Sequence, residues 1–338
     1  MSGGGFENIG PQPGRSRWAL WGTWVFGVLI LAALILIVLK RGDLRNFVQL
    51  ARQSRPGWLA AALLFQFLTY VSIASAWRAT LVKTGHPVSL NRLIPLGLAK
   101  LFTDQAIPSV GMSGNILVAK GLLRRRVPAP LVLTALFVDI IGYYIAYMIM
   151  VLATLSILRA YYQAHAALLS AFMLFGILAI GIPSLILWLK RRSNRPLPGI
   201  LGRFPFSDFL FRIISEVPSG ILRDPVLILK NTCFEAGIFL LDALTLWAIL
   251  FSIGQPVPFM VPFTVFIAAS VVGTVSPVPT GLGTFEAVAV ATLGILHVPI
   301  EAALTATLLL RGFTFWLPML PGLIMAKKEI GGKAVPSS

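Results

Sequence analysis

Apolar residues fill most of this chain in stretches about as long as a bilayer crossing, separated by short basic segments. A span needs about 20 mostly apolar residues. The stretch from Trp18 to Leu39 carries no charge and is closed by Arg17 and Lys40. A cleavable leader has a shorter apolar core and a small-residue cleavage site, whereas Lys40, Arg41 and Gly42 follow directly, so this span is expected to be retained. Further apolar runs fall near 57–77, 93–108, 113–123, 130–158, 166–189, 226–252, 259–279, 283–297 and 299–326.

Two regions do not read as ordinary spans. Leu93 to Leu123 is interrupted by Lys100, Asp104 and Gln105 and then by Pro108-Ser109-Val110-Gly111-Met112-Ser113-Gly114. The piece after the break is too short to cross, which predicts a re-entrant hairpin. Phe259 to His297 is broken by Pro277-Val278-Pro279-Thr280-Gly281-Leu282-Gly283 and predicts a second hairpin or broken pair. If the first hairpin returns to its own side and the second counts as two crossings, the pattern predicts an all-α polytopic membrane protein with about eight transmembrane helices. Of 28 Lys and Arg, 19 then fall on the side of both termini, as the positive-inside rule requires of the cytoplasmic face. The loop after the first span conflicts, since Lys40, Arg41, Arg45, Arg52 and Arg55 would face outward.

The remaining organisation follows from composition. Residues 1–14 are Gly- and Pro-rich and predict a disordered tail. A first membrane half (15–189) and a second (226–328) flank a linker at 190–225. In the linker Phe206, Phe209, Leu210, Ile213 and Val217 have the spacing of an amphipathic interfacial helix on the cytoplasmic face. Residues 329–338 are a C-terminal tail. Paired interruptions in corresponding positions of two halves are the best sequence pointer to a transporter site, and an inverted repeat is the hypothesis they raise.

Charged residues make up 12% of the chain, against roughly 25% in soluble domains, and mean hydropathy is +0.85. The net charge of +16 is distributed between apolar runs, which favours anionic lipid over nucleic acid as partner. Cys233 has no second cysteine in the chain and lies in an apolar segment, where a small core filler is expected. There is no G-x-x-x-x-G-K-[ST], no H-E-x-x-H and no cysteine cluster, and His86 and His165 are at loop positions. ATP-driven and zinc-protease chemistry are not supported, and no cofactor is expected.

Broken membrane helices free backbone groups that lipid cannot satisfy, so two breaks imply a polar interior. The segment starting at Gly283 would aim open amides and a positive dipole end at an anionic headgroup. Gly281 and Gly283 would allow close approach, or simply permit a tight turn. Glu286 could cap that helix start or hold a proton or cation. Asp139, Glu235, Asp242 and Arg311 are further charges inside apolar runs. An Arg311 pair with Glu286 or Asp242 is expected, serving either transport or helix packing. Gly111-Met112-Ser113-Gly114 has the Gly-x-Ser-Gly form of rhomboid-type intramembrane proteases. However, a serine nucleophile needs its base within reach, and His297 lies at the end of its run.

At these motifs the chain resembles the transmembrane domain of lysylphosphatidylglycerol synthases and the stand-alone YbhN-like proteins that share it. Two stretches carry the resemblance. One is Pro277 to Ala287, similar to the family's Pro-x-Gly-Leu-Gly-x-x-Glu, with Arg311 and Trp316-Leu317-Pro318 after it. The other is Pro108 to Gly114, followed by Arg124 to Arg126 and Asp139. Asn115 departs from the acidic residue that many relatives carry there.

The resemblance implies a bacterial inner-membrane protein moving a polar or charged lipid between leaflets, a flippase-like activity. Headgroup contacts would come from Pro108, Gly111, Gly114, Pro279, Gly281, Gly283, Glu286 and Arg311. The chain ends soon after Lys328, so the synthases' soluble aminoacyltransferase domain is not expected and the chain is read as a non-enzyme. The alternatives are a non-transporting scaffold for a lipid- or polysaccharide-modifying enzyme, and the intramembrane protease.

Overall fold

The computed structural model describes residues 54–106, 112–161, 220–276, 278 and 281–331, with scattered helical positions between 173 and 188. The first span, the N-terminal tail and the amphipathic segment near 206–217 lie outside these residues. So do Pro108, Gly111, Pro277 and Pro279.

Among the described residues all regular structure is helical: α1 (Pro56–Lys83), α2 (Leu90–Ala106), α3 (Met112–Arg124), α4 (Ala129–Tyr161), a 3-10 turn (Ile221–Arg223), α5 (Pro225–Ser252), α6 (Met260–Val275), α7 (Thr284–Ile295), α8 (Ile300–Arg311), a π-helical segment (Gly312–Trp316) and α9 (Leu317–Gly331). Among the described residues four rods are long and apolar enough to cross a membrane: α1, α4, α5 and the continuous Ile300–Glu329. Leu63, Leu64, Phe67, Leu152, Leu229 and Leu320 stand exposed on them, as lipid-facing side chains do. With 16 and 12 residues, α6 and α7 are about 24 and 18 Å long at 1.5 Å per residue. Both fall short of the roughly 30 Å apolar core of a bilayer.

The order long helix, broken hairpin, long helix occurs twice. α1 and α5 each have 28 residues. The hairpin limbs have 17 and 13 residues in the first half and 16 and 12 in the second.

The helix ends also match. Each first helix stops at a glycine of positive φ, Gly85 and Gly254. The next amide then turns back to the carbonyl five residues earlier: His86 to Leu81 at 2.9 Å and Gln255 to Leu250 at 2.9 Å. The second hairpin limbs stop the same way at Arg126 and His297, both of positive φ. There Val127 bonds Leu122 at 3.2 Å and Val298 bonds Leu293 at 3.0 Å. Pro128 and Pro299 follow, each immediately before the next helix.

The halves meet along an antiparallel seam between α1 and α5. Arg55 N–H donates to Ser252 O at 2.8 Å, where α1 begins and α5 ends. Gln66 Nε2 donates to Asp242 Oδ1 at 2.7 Å and Thr245 Oγ1 at 3.0 Å. Ser72 Oγ donates to Phe234 O at 2.7 Å, and Asn231 Nδ2 to Ala76 O at 3.2 Å. Lys83 and Asp224 close the far end at 3.0 Å. Polar bonds of this kind hold helices together where lipid removes any hydrophobic drive.

Each hairpin then packs on the closing rod of the opposite half, α2 on α9 and α6 on α4. The first opens toward the Glu329 end of the last rod, where Arg125 Nη2 holds Glu329 Oε1 at 2.5 Å. The second opens toward its Ile300 end. The two hairpins therefore open toward opposite ends of the last rod. Cys233 is exposed on α5, which corrects the expectation of a core filler. α9 runs to Gly331, past the expected start of the tail, because Arg125 and Arg124 anchor Glu329.

Candidate functional site

The tip of the second hairpin is a folded-back loop governed by two glycines. Gly281 has φ +63°, and a Cβ there would lie 2.8 Å from Gly273 Cα, so only glycine lets the loop rest on α6. Gly283 (φ 82°) precedes α7. Its N–H donates to Glu286 Oε2 at 2.7 Å, so Glu286 reaches back to cap its own helix.

The other oxygen, Oε1, accepts from Arg311 Nε at 2.6 Å. Glu286 is 1% exposed and the Arg311 side chain 13%. The guanidinium lies 4.2 Å from the Phe285 ring centroid and 5.6 Å from that of Phe315, a desolvated cation–π enclosure. Arg311 thus pairs with Glu286 and not with Asp242, whose partner is Gln66. The Gly283 amide, expected to be open to a headgroup, is already taken.

The first hairpin carries the same device with its parts redistributed. Asp104, near the end of α2, accepts from Gly114 N–H at 2.8 Å through Oδ1 and from Lys100 Nζ at 2.8 Å through Oδ2. Both hairpins therefore place a carboxylate between the first-turn amide of the second limb and a cation. Asn115 is explained by this: the carboxylate comes from the opposite limb. A Cβ on Gly114 would meet the Asp104 carboxylate at 2.5 Å. Ser113 Oγ donates to Thr103 O at 3.1 Å and faces Asp104 Oδ1 at 3.5 Å, a capping arrangement. His297 is exposed at the far end of α7.

Behind the first hairpin lies a second group of charges. Asp139 on α4 has its Oδ1 buried without a hydrogen-bond partner, and Glu235 on α5 is 5% exposed. Lys100 is paired with Asp104 at 2.8 Å. Of the intramembrane carboxylates singled out in the sequence, Glu286 is paired with Arg311 and Asp242 is bonded to Gln66 on the α1–α5 seam. Lys100, Asp104 and Gln66 belong to these sites without having been singled out. Their signal was a Lys-x-x-x-Asp pair on one helix face and a glutamine inside an apolar run. Among the described residues no group of three or more His, Cys, Asp or Glu is set to hold a metal ion.

Long apolar rods, two broken hairpins and buried ion pairs define a multi-pass helical membrane protein. A family described as lysylphosphatidylglycerol synthase TM region matches residues 24–322, and the chain belongs to that family. A search of curated proteins returns no match.

Proposed function

We propose that the chain moves a polar or charged lipid between leaflets of a bacterial inner membrane, with both termini in the cytoplasm. One observation carries this reading. Two hairpins open toward opposite ends of the last rod, each with a carboxylate tied to a helix-start amide and to a cation. In transporters, oppositely oriented repeats with broken helices flank the transport path, and alternating access comes from one repeat rocking against the other. Buried ion pairs that a charged headgroup can exchange with suit such a path, because the phosphate can compete for Arg311 while a cationic headgroup competes for Glu286.

The test is leaflet exchange of labelled anionic and cationic phospholipids in proteoliposomes. Exchange by the wild type that is lost in Glu286→Gln and Arg311→Ala, with both variants folded, supports the reading. Equal exchange in all three removes the pair from the mechanism. No exchange with any lipid, combined with a stably co-purifying lipid-modifying enzyme, moves the assignment to a scaffold.

A further inference from the structure

The two hairpins end in the same turn but carry different residues there. At the second, Ile295-Leu296-His297 closes α7, and the sequence has no Lys or Arg between Lys230 and Arg311. At the first, the equivalent turn closing α3 is Arg124-Arg125-Arg126. The left-handed turn therefore needs no arginine, and the three at the first mouth require another reason.

Their bonds show how they are held. The Arg125 guanidinium is fixed by two backbone carbonyls, Nη1 donating to Gly121 O at 2.6 Å and Nη2 to Arg92 O at 3.2 Å. The same two nitrogens present a fork to Glu329, Nη1 to Oε2 at 3.1 Å and Nη2 to Oε1 at 2.5 Å. Arg124 caps the end of α9 by donating to Lys328 O at 3.0 Å and to Glu329 O. A fork of this kind takes a phosphate as well as a carboxylate. Because the two carbonyls do not depend on Glu329, the fork keeps its aim when the carboxylate leaves.

Arg92, Arg126, Lys327 and Lys328 stand exposed around it. Among the described residues the one carboxylate bonded to this basic group is Glu329. The rod that ends here, Ile300–Glu329, has 30 residues, about 45 Å at 1.5 Å per residue. A bilayer measures about 40–45 Å with its headgroup layers, so the Glu329 end reaches the level of the lipid phosphates. Orientation in the membrane depends on how many basic residues lie on a side, and does not call for a fork with a carboxylate seated in it.

We propose that the mouth of the first hairpin is a seat for the phosphate of an anionic phospholipid, with the Arg125 fork at its centre and Arg126, Lys327 and Lys328 at its rim, and that Glu329 fills the fork until a headgroup displaces it. One anion replaces another, so no charge is stranded. The exchange frees the Glu329 side chain from α3 and loosens the end of α9 from the first hairpin, while the Arg124 cap on Lys328 O stays in place. The seat is separate from the Glu286–Arg311 pair and does not depend on the transport reading.

The experiment is native mass spectrometry of the full chain, released from mixed micelles holding equal amounts of phosphatidylglycerol, phosphatidic acid and phosphatidylcholine. The wild type is expected to retain both anionic lipids over phosphatidylcholine. Arg126→Gln, Lys327→Gln and Lys328→Gln remove rim charges without touching the fork, and each should lower anionic-lipid retention about five-fold. Glu329→Gln removes the competitor and should raise it. A wild type that retains phosphatidylcholine equally, rim variants that retain anionic lipid as the wild type does, or a folded Glu329→Gln chain that retains less overturns the proposal. Inorganic phosphate that strips the bound lipid would assign the fork to a soluble anion and overturn it as well.

Leaflet exchange is measured on the same proteins in vesicles. Selective retention without exchange keeps the seat and overturns the transport reading. Exchange without selective retention does the reverse.

Discussion

Breaking the Glu286–Arg311 pair tests how much of the second hairpin depends on it. Glu286 is 1% exposed and both its oxygens are occupied, by Arg311 Nε at 2.6 Å and Gly283 N–H at 2.7 Å. Arg311→Met leaves a buried carboxylate with one amide donor, a change that costs about 3–5 kcal/mol when a buried partner is lost. The lower end applies here, because an unfolded chain in lipid or detergent also finds partners for its polar groups. Glu286→Gln keeps an acceptor for Gly283 and leaves Arg311 stacked on Phe285, an attraction of about 0.5–2 kcal/mol. Its cost should be smaller, about 1–3 kcal/mol.

In the double variant the stranded charge disappears, so its cost must fall below the sum of the single ones, with a coupling of about 0.5–3 kcal/mol. Reversible unfolding in mixed micelles, followed by tryptophan fluorescence, measures all four proteins. Single costs that add to within about 0.5 kcal/mol would refute a working ion pair at this site.

Gly281→Ala should destabilise the second hairpin strongly, because its Cβ would lie 2.8 Å from Gly273 Cα at a φ of +63°. Gly273→Ala, whose Cβ finds nothing nearer than 3.6 Å, should be tolerated, and thermal unfolding in detergent separates the two. Gly114→Ala should detach Asp104 from the start of α3, seen as faster amide exchange in α3 with α1 unchanged. If the repeats are inverted, a thiol probe must label His86→Cys and Gln255→Cys from opposite sides of the membrane in a Cys233→Ser background. The hydrogen bond from Lys83, reinforced by the Leu227 amide, lowers the pKa of Asp224, the N-cap of α5. This stabilisation is present above the ordinary aspartate pKa and lost as pH falls through the depressed one, so Val226 and Leu227 should lose exchange protection below about pH 4, and Asp224→Asn should remove that dependence.

The spans, the two breaks and the Glu286–Arg311 partnership were legible because length, Gly and Pro, and isolated charge each carry a local physical signal. The repeat was also legible, but not where the breaks are. Gly85-His86-Pro87-Val88 matches Gly254-Gln255-Pro256-Val257, and Val127-Pro128 matches Val298-Pro299. Helix ends constrain sequence more tightly than hairpin tips, which each half can hold with different residues. Asp104 was read as part of an interruption because its role depends on Gly114 across the turn. Cys233 was misplaced because in an apolar solvent a helix need not be more apolar inside than outside, so hydrophobicity does not mark its buried face.

The π-helical segment at Gly312–Trp316 divides the last rod by allegiance. Before it, Arg311 grips the second hairpin. After it, Gly322 lies against Leu98 and Phe102 of α2, and Glu329 is held by Arg125 at the mouth of the first. Pro318 has no amide hydrogen for the carbonyl four residues back, and the ladder widens there. One helix thus carries a contact to each hairpin, with the π-helical turn lying between the two.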